Sequence, residues 1–398
     1  MIALLGLRQT IMTDIKSGGR RHDLDALRVL CFGTLIIYHT SLAYGTRTWL
    51  LNSIDGSRLV DLIAAASHPW RMSLLFFISG LVTRSLLRNR SVSDIRGTRT
   101  RQLLLPFTFG VLLVVPPQIY LSEFNPFPGL SYWEFWKAFM VSGLTLEHLW
   151  FLAYLWIYVF AWSFLWPYLQ RVWPNLPSAL ANSLRGVNLF LIPILLLSVL
   201  RLWLYPIFGE TRAIHTDIYA HLVYFSMFMA GSLLMEESTF WREVDRQRWL
   251  GGALAIISFL VVAAAVVAVP REDWPDAVVI LVRIARSIFQ WCAIIALLGF
   301  AGRIANRPNR VIAFLNRSMM TYYVAHQTVI IIVAHQISKM GPLDIRSFVP
   351  VVLLSTLGCG LIGEAQKLIK AFLSPLIARV MALIKPPLKT APSGATAD

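Results

Sequence analysis

The sequence predicts an all-α integral membrane protein, a bundle of about ten transmembrane helices with both termini cytoplasmic. Three observations carry this reading. Of the 398 residues, 57% are apolar and 14% charged, with a mean hydropathy of +0.62, whereas soluble domains run near a quarter charged. The apolar residues fall into about ten segments of roughly 20 residues, the length that crosses hydrocarbon as a helix. Most of the 36 Lys and Arg lie in alternate connections, which the positive-inside rule reads as cytoplasmic.

Residues 1–26 read as a basic cytoplasmic tail. No secretory leader is expected, because Met1 to Leu7 is a short apolar run ended by Arg8, and Met12 is an alternative start. The transmembrane domain covers 27–372, with spans near 27–45, 70–87, 102–121, 149–170, 187–206, 215–235, 248–269, 277–300, 318–337 and 347–369. Pro106, Pro116 and Pro117 in the third span and Pro193 in the fifth predict kinks that open cavities in a bundle. The longest outer connection, about 122–148, is rich in Pro and aromatics and suits a lid or rim better than a folded domain. Trp70, Trp150, Trp166, Trp173, Trp203, Trp241 and Trp249 fall near predicted interfaces, as belt anchors do. Residues 373–398 read as a cytoplasmic, partly disordered tail. The net charge of +15 is thus topological, and no nucleic-acid partner is expected. Cys31, Cys292 and Cys359 sit in apolar spans without metal-like spacing, so neither a metal site nor a disulfide framework is expected.

Polar groups inside spans are costly to bury and therefore informative. In the first span Arg28 and His39 lie eleven residues apart, roughly 16 Å and close to one helix face. Asp25 falls one turn below Arg28. Arg28 reaches the cytoplasmic interface, which places His39 deep in the bilayer, near its midplane. A neutral imidazole there can take a proton from a sugar hydroxyl as its oxygen attacks a thioester; a His that only bridges helices is the plainer alternative. His326, with Gln327 beside it, lies near mid-depth of the ninth span and either faces the same cavity or packs helices. Glu364 sits toward the cytoplasmic end of the tenth, where a solvated carboxylate paired with Lys367 or Lys370 is the simpler reading.

Arg99 and Arg101 belong to a dense cytoplasmic cluster at the foot of the third span. Guanidinium groups bind phosphates well, so a phosphorylated donor such as an acyl-CoA could dock there; contact with anionic lipid is the alternative. On the outer side Arg71 opens the second span in His-Pro-Trp-Arg71, and His148 opens the fourth in Glu147-His148-Leu-Trp150. Both suit a carbohydrate-facing rim or an interface anchor. Arg283 and Arg286, one turn apart in the eighth span, require a cavity, a partner or an anionic ligand.

Five short motifs occur in order: Arg28 and His39 with ten residues between them, Phe76-Phe77-Ile-Ser-Gly80, Arg99/Arg101 before Pro106, His148-Leu-Trp-Phe-Leu, and Tyr323-Val-Ala-His326. Together they resemble the bacterial membrane acyltransferase type 3 family over nearly the whole chain. The run from Leu24 through Tyr44, with Trp49 and Asn52 following, is similar to the branch that succinylates periplasmic glucans. The resemblance implies catalysis by His39 as general base, with Arg28, Arg99 and Arg101 binding the donor. From the residue reading, Asp25, Arg71, His148, Arg283, Arg286, His326 and Glu364 are expected near the acceptor or around the site. One departure is Gln102, where a further Arg often stands.

The expected activity is O-acyl transfer, succinyl before acetyl, from cytoplasmic succinyl-CoA or acetyl-CoA to hydroxyls of a periplasmic or cell-surface glycan. No bound cofactor is expected. The expected location is the bacterial inner membrane, the partners are acyl-CoA, the glycan and lipids, and a homo-oligomer is left open. The rival class is a transporter or exporter of an anionic solute, which would favour matching broken-helix halves; none is evident here.

Overall fold

A computed structural model describes residues 21–142 and 144–384, except for the side chains of 370 and 373–384. The choice between Met1 and Met12, and the last part of the C-terminal tail, lie outside the described residues. Each of the ten predicted segments coincides with helix, and among the described residues there is no strand. The order is α1 (His22–Tyr44), α2 (Arg58–Leu86), α3 (Val92–Phe109), a π-helical turn (Gly110–Val114) and α4 (Val115–Tyr120). Then come α5 (Tyr132–Ser142), α6 (Trp150–Val172), α7 (Leu176–Ser183), α8 (Asn188–Trp203) and α9 (Tyr205–Phe208). The chain closes with α10 (Ile218–Leu234), α11 (Ser238–Ala268), α12 (Asp276–Ile304), α13 (Arg310–Met340) and α14 (Phe348–Ile384).

Among the described residues six helical stretches are long and apolar enough to cross a membrane, or seven if α7 and α8, bent by 101°, count as one. This makes a multi-pass membrane protein with fewer self-evident spans than the ten predicted. The reason is chemical. α2 and α13 are long but carry Arg71 and His326, and side chains turned inward toward a polar cavity lower the hydropathy of the helix that bears them. α10 is short, with 17 residues. Helix also extends past the drawn domain limits: α1 starts at His22, inside the predicted tail, and α14 runs to Ile384. The 122–148 connection contains α5.

α1 packs against α2, α12, α13 and α14, so its inward face is central. α2 crosses α10 with the backbones almost touching. A methyl placed on Gly80 would lie 1.9 Å from the Phe228 carbonyl oxygen, and one on Gly231 would lie 2.0 Å from that of Phe77. Small residues at membrane-helix crossings allow this approach, so the glycine of the Phe-Phe-Ile-Ser-Gly run is a packing residue. Gly80→Ala or Gly231→Ala is expected to cost about 3 kcal/mol or more, because a backbone cannot swing aside as a side chain can. Thermal unfolding in detergent measures this, and an unchanged midpoint would refute the crossing.

The third span carries a π-helical turn just before Pro116 and Pro117 and runs on as one stretch, Val92–Tyr120. Pro116 has no N–H to offer the Leu112 carbonyl one turn back, and the Trp136 indole donates to that oxygen instead, at 3.0 Å. The Thr328 hydroxyl donates to the Val114 carbonyl at 2.7 Å, tying the distorted turn to α13. At Gly110 a methyl would meet Leu149 at 2.5 Å, so this glycine lets the third span pass close beside the turn that carries His148.

Candidate active site

His39 lies on the buried stripe of α1 that includes Leu24, Cys31 and Leu35. It stands five residues before the end of α1 at Tyr44, about 8 Å along the axis. α1 begins earlier than the predicted span, so the midpoint of the helix falls before His39. The segment after α1 folds back over this end, with Ser53 and Ser57 N–H groups donating to the Ala43 and Tyr44 carbonyls. Asn52 accepts from the Trp49 N–H at 2.9 Å and donates to the Arg47 carbonyl at 2.9 Å. That turn holds the Trp49 ring 6.1 Å from the His39 ring.

The hydrogen bonds assign tautomers. His326 Nδ1 lies 2.7 Å from the Tyr323 carbonyl oxygen, which can only accept. His326 Nδ1 therefore carries the proton, and in a neutral ring its Nε2 accepts. His39 Nδ1 stands 3.2 Å from that Nε2 and 3.1 Å from the Leu35 carbonyl. Facing two acceptors, it must donate, which leaves the lone pair on His39 Nε2. The third imidazole, His148, donates through Nε2 to the Val324 carbonyl at 2.9 Å, while its buried Nδ1 has no hydrogen-bond partner. The Tyr323 hydroxyl donates to the His148 carbonyl and braces the two helices.

Arg71 completes the cavity. It stands well inside α2 and is 1% exposed, not at the outer rim where the sequence placed it, because α2 begins at Arg58 and not near residue 70. Its guanidinium donates to the Ser67 hydroxyl at 3.1 Å and lies 4.1 Å from the centre of the Tyr38 ring. Its Nε has no partner, and no carboxylate pairs with it among the described residues. The space between these side chains is about 30 Å³, lined by His39, His326, His148, Arg71, Tyr323 and Trp150 among others. That holds one or two waters, so substrates must part its walls. Trp150 and Trp166 are buried, and Trp150 lines the cavity instead of anchoring an interface.

The chain thus unites four of the predicted residues: His39, His326, Arg71 and His148. Asp25 and Arg28 form a separate pair 3.7 Å apart in the first turns of α1, with Asn316 donating to Asp25 at 2.8 Å. Arg99 lies within electrostatic reach of Arg28, and its buried Nε has no hydrogen-bond partner. Arg101 is exposed on α3. Arg286 lines a second cavity, and Arg283 faces the Tyr205 ring at 5.9 Å. Glu364 is an exposed carboxylate paired with Lys367 at 2.6 Å, apart from both cavities. Among the described residues, no three His, Cys, Asp or Glu are grouped to hold a metal.

A family model described as "Acyltransferase domain" matches residues 21–364, which include the whole constellation. The chain belongs to this acyltransferase family. Among curated proteins the acyltransferase resembles glucans biosynthesis protein C of Escherichia coli strain SMS-3-5 / SECEC and of strain K12. Each is 28% identical over 141 residues, 34% of this chain and 36% of the relative. The match thus spans about a third of the length of these relatives. No solved structure matches.

The sequence reading passed over Tyr38, His68 and Arg212, all of which line the His39 cavity. His68 had a signal, since it stands in the same short run as Arg71. Arg212 had none. It comes from the loop before α10 with a left-handed backbone (φ +58°), and its N–H donates to Asp217 at 3.0 Å. Such a strained backbone persists only where surrounding contacts hold it.

Proposed function

We propose that this protein is a bacterial inner-membrane O-acyltransferase, a bundle of ten spans with both termini cytoplasmic. It moves an acyl group, succinyl before acetyl, from a cytoplasmic acyl-CoA to a hydroxyl of a periplasmic or cell-surface glycan. The observation that supports this best is the bare Nε2 of His39, on the wall of a small cavity that also holds a guanidinium without a carboxylate partner among the described residues. The name carried by the relatives, glucan biosynthesis, supports a glycan acceptor.

In this reading the acceptor O–H gives its proton to His39 Nε2 as its oxygen attacks the thioester carbonyl. His39 Nδ1 keeps its proton and donates to His326, which steadies the imidazolium. The tetrahedral oxyanion forms beside the Arg71 guanidinium, whose charge no carboxylate neutralises. Collapse breaks the C–S bond, and the departing thiolate takes the proton back from His39 Nε2. The products are an ester and free CoA thiol, and His39 is regenerated. Arg28, Arg99 and Arg101 are the donor-side cations in this scheme.

Purified protein in detergent, given labelled acyl-CoA and a periplasmic glucan, is expected to form labelled ester with no membrane gradient. Absence of transfer, together with gradient-driven uptake of an anionic solute into proteoliposomes, would overturn acyl transfer in favour of a transporter.

A further inference from the structure

A second cavity adjoins the first, and the His68 ring forms part of the wall of both. It encloses about 20 Å³ between the last turn of α8 and the middle of α12, about the room for one ordered water. Two guanidinium groups, Arg201 and Arg286, face it with one carboxylate, Glu210.

Glu210 is already engaged. It accepts from the Tyr224 hydroxyl at 2.6 Å and lies 3.7 Å from His68 Nε2. Burial pushes its carboxyl pKa up, but His68, the Tyr224 hydroxyl, Arg201 and Arg212 outweigh that and hold it below the ordinary carboxylate value, so it is ionised. Arg201 donates to a neutral group, the Gln290 side-chain oxygen, at 2.6 Å, and Gln290 in turn donates to Ser73 at 2.7 Å. The Nε atoms of both arginines are buried and have no partner, and Arg286 makes no hydrogen bond or ion pair with any described residue. Two half-buried cations with buried Nε atoms, against one spent carboxylate, leave a positive charge and two unused donors around one small space. Burying such charge is costly unless an anion completes it.

We propose that this cavity receives a carboxylate at the far end of the transferred acyl group and selects donors that carry one. The inference rests on the acyl-transfer reading above. In that topology α8 and α12 bring Arg201 and Arg286 to the outer half of the bundle. A thioester reaching His39 from the cytoplasm has its CoA behind it and its acyl chain ahead. The chain then runs past His68, and its anionic end meets Arg201 and Arg286. Arg71 is not this partner, since it lines the cavity of the reacting carbonyl.

The test compares succinyl-CoA with butyryl-CoA, its neutral four-carbon counterpart, on an uncharged glucan, using wild type, Arg286→Gln and Arg201→Gln. The wild type favours succinyl-CoA. Either variant lowers kcat/KM for succinyl-CoA by about 30-fold or more, the penalty for removing one member of a buried charge pair, and leaves butyryl transfer unchanged. Equal loss with both donors, or a loss confined to KM for the glucan, overturns the proposal and assigns the cavity to packing or to an acceptor anion. Thermal stabilisation by free succinate, read against butyrate, tests the site without turnover. Stabilisation by succinate in wild type and not in Arg286→Gln supports the site even if no acyl transfer occurs, a result that would overturn only the acyl-transfer reading. No stabilisation overturns the site.

Discussion

His39→Ala lowers acyl transfer by about 100- to 10,000-fold, the range expected for loss of a positioned general base, while the protein remains folded. The expectation follows from hydrogen-bond direction. The Tyr323 carbonyl fixes the proton on His326 Nδ1, His326 Nε2 then accepts from His39 Nδ1, and the lone pair of His39 Nε2 is left facing the cavity. His148 Nδ1 also carries a free lone pair in this cavity, so His148→Ala is the control beside His39→Ala, whereas Arg71 carries no lone pair to accept a proton. The measurement is initial-rate ester formation in purified protein at matched amounts, beside a thermal unfolding curve. Transfer at the wild-type rate would remove His39 from the chemistry. Loss of the folded protein with loss of activity would assign it to packing.

Arg71→Met separates stability from activity. Transfer is expected to fall about 100- to 1,000-fold, as when a donor to a developing oxyanion is removed. The unfolding midpoint is expected to hold or rise. Arg71 is almost fully buried with one hydrogen bond to Ser67, one face against Tyr38 and no carboxylate partner. A buried charge without a counter-ion generally destabilises the fold, and an apolar chain of similar volume is often tolerated or stabilising. A side chain retained at such a cost serves function. A falling midpoint with a proportional fall in activity would instead make Arg71 a structural cation.

Much of the fold was legible because its cause is local. An apolar run of span length must be helical in lipid, where backbone groups have no water to bond, and all ten predicted segments are helical. The inward stripe of α1 was legible as well, since Arg28 and His39 repeat at the helical period and Asp25 does pair with Arg28. Helix limits were less so. His39 and Arg71 were placed from span limits drawn by hydropathy, and both α1 and α2 begin earlier, inside polar sequence that hydropathy discounts. Trp150 and Trp166 were read as belt residues because composition cannot tell a buried indole from one at an interface.

The sequence alone determined that this chain is a helical membrane protein and that His39 shares a face with an arginine, because span length and helical period are properties of neighbouring residues. The juxtapositions were decided only by tertiary structure. His39 meets His326 across α1 and α13, Arg71 reaches their cavity from α2, and Arg201 and Arg286 converge from α8 and α12. Helix crossings such as the one at Gly80 and Gly231 set those distances, and no residue on one helix encodes where another helix will lie.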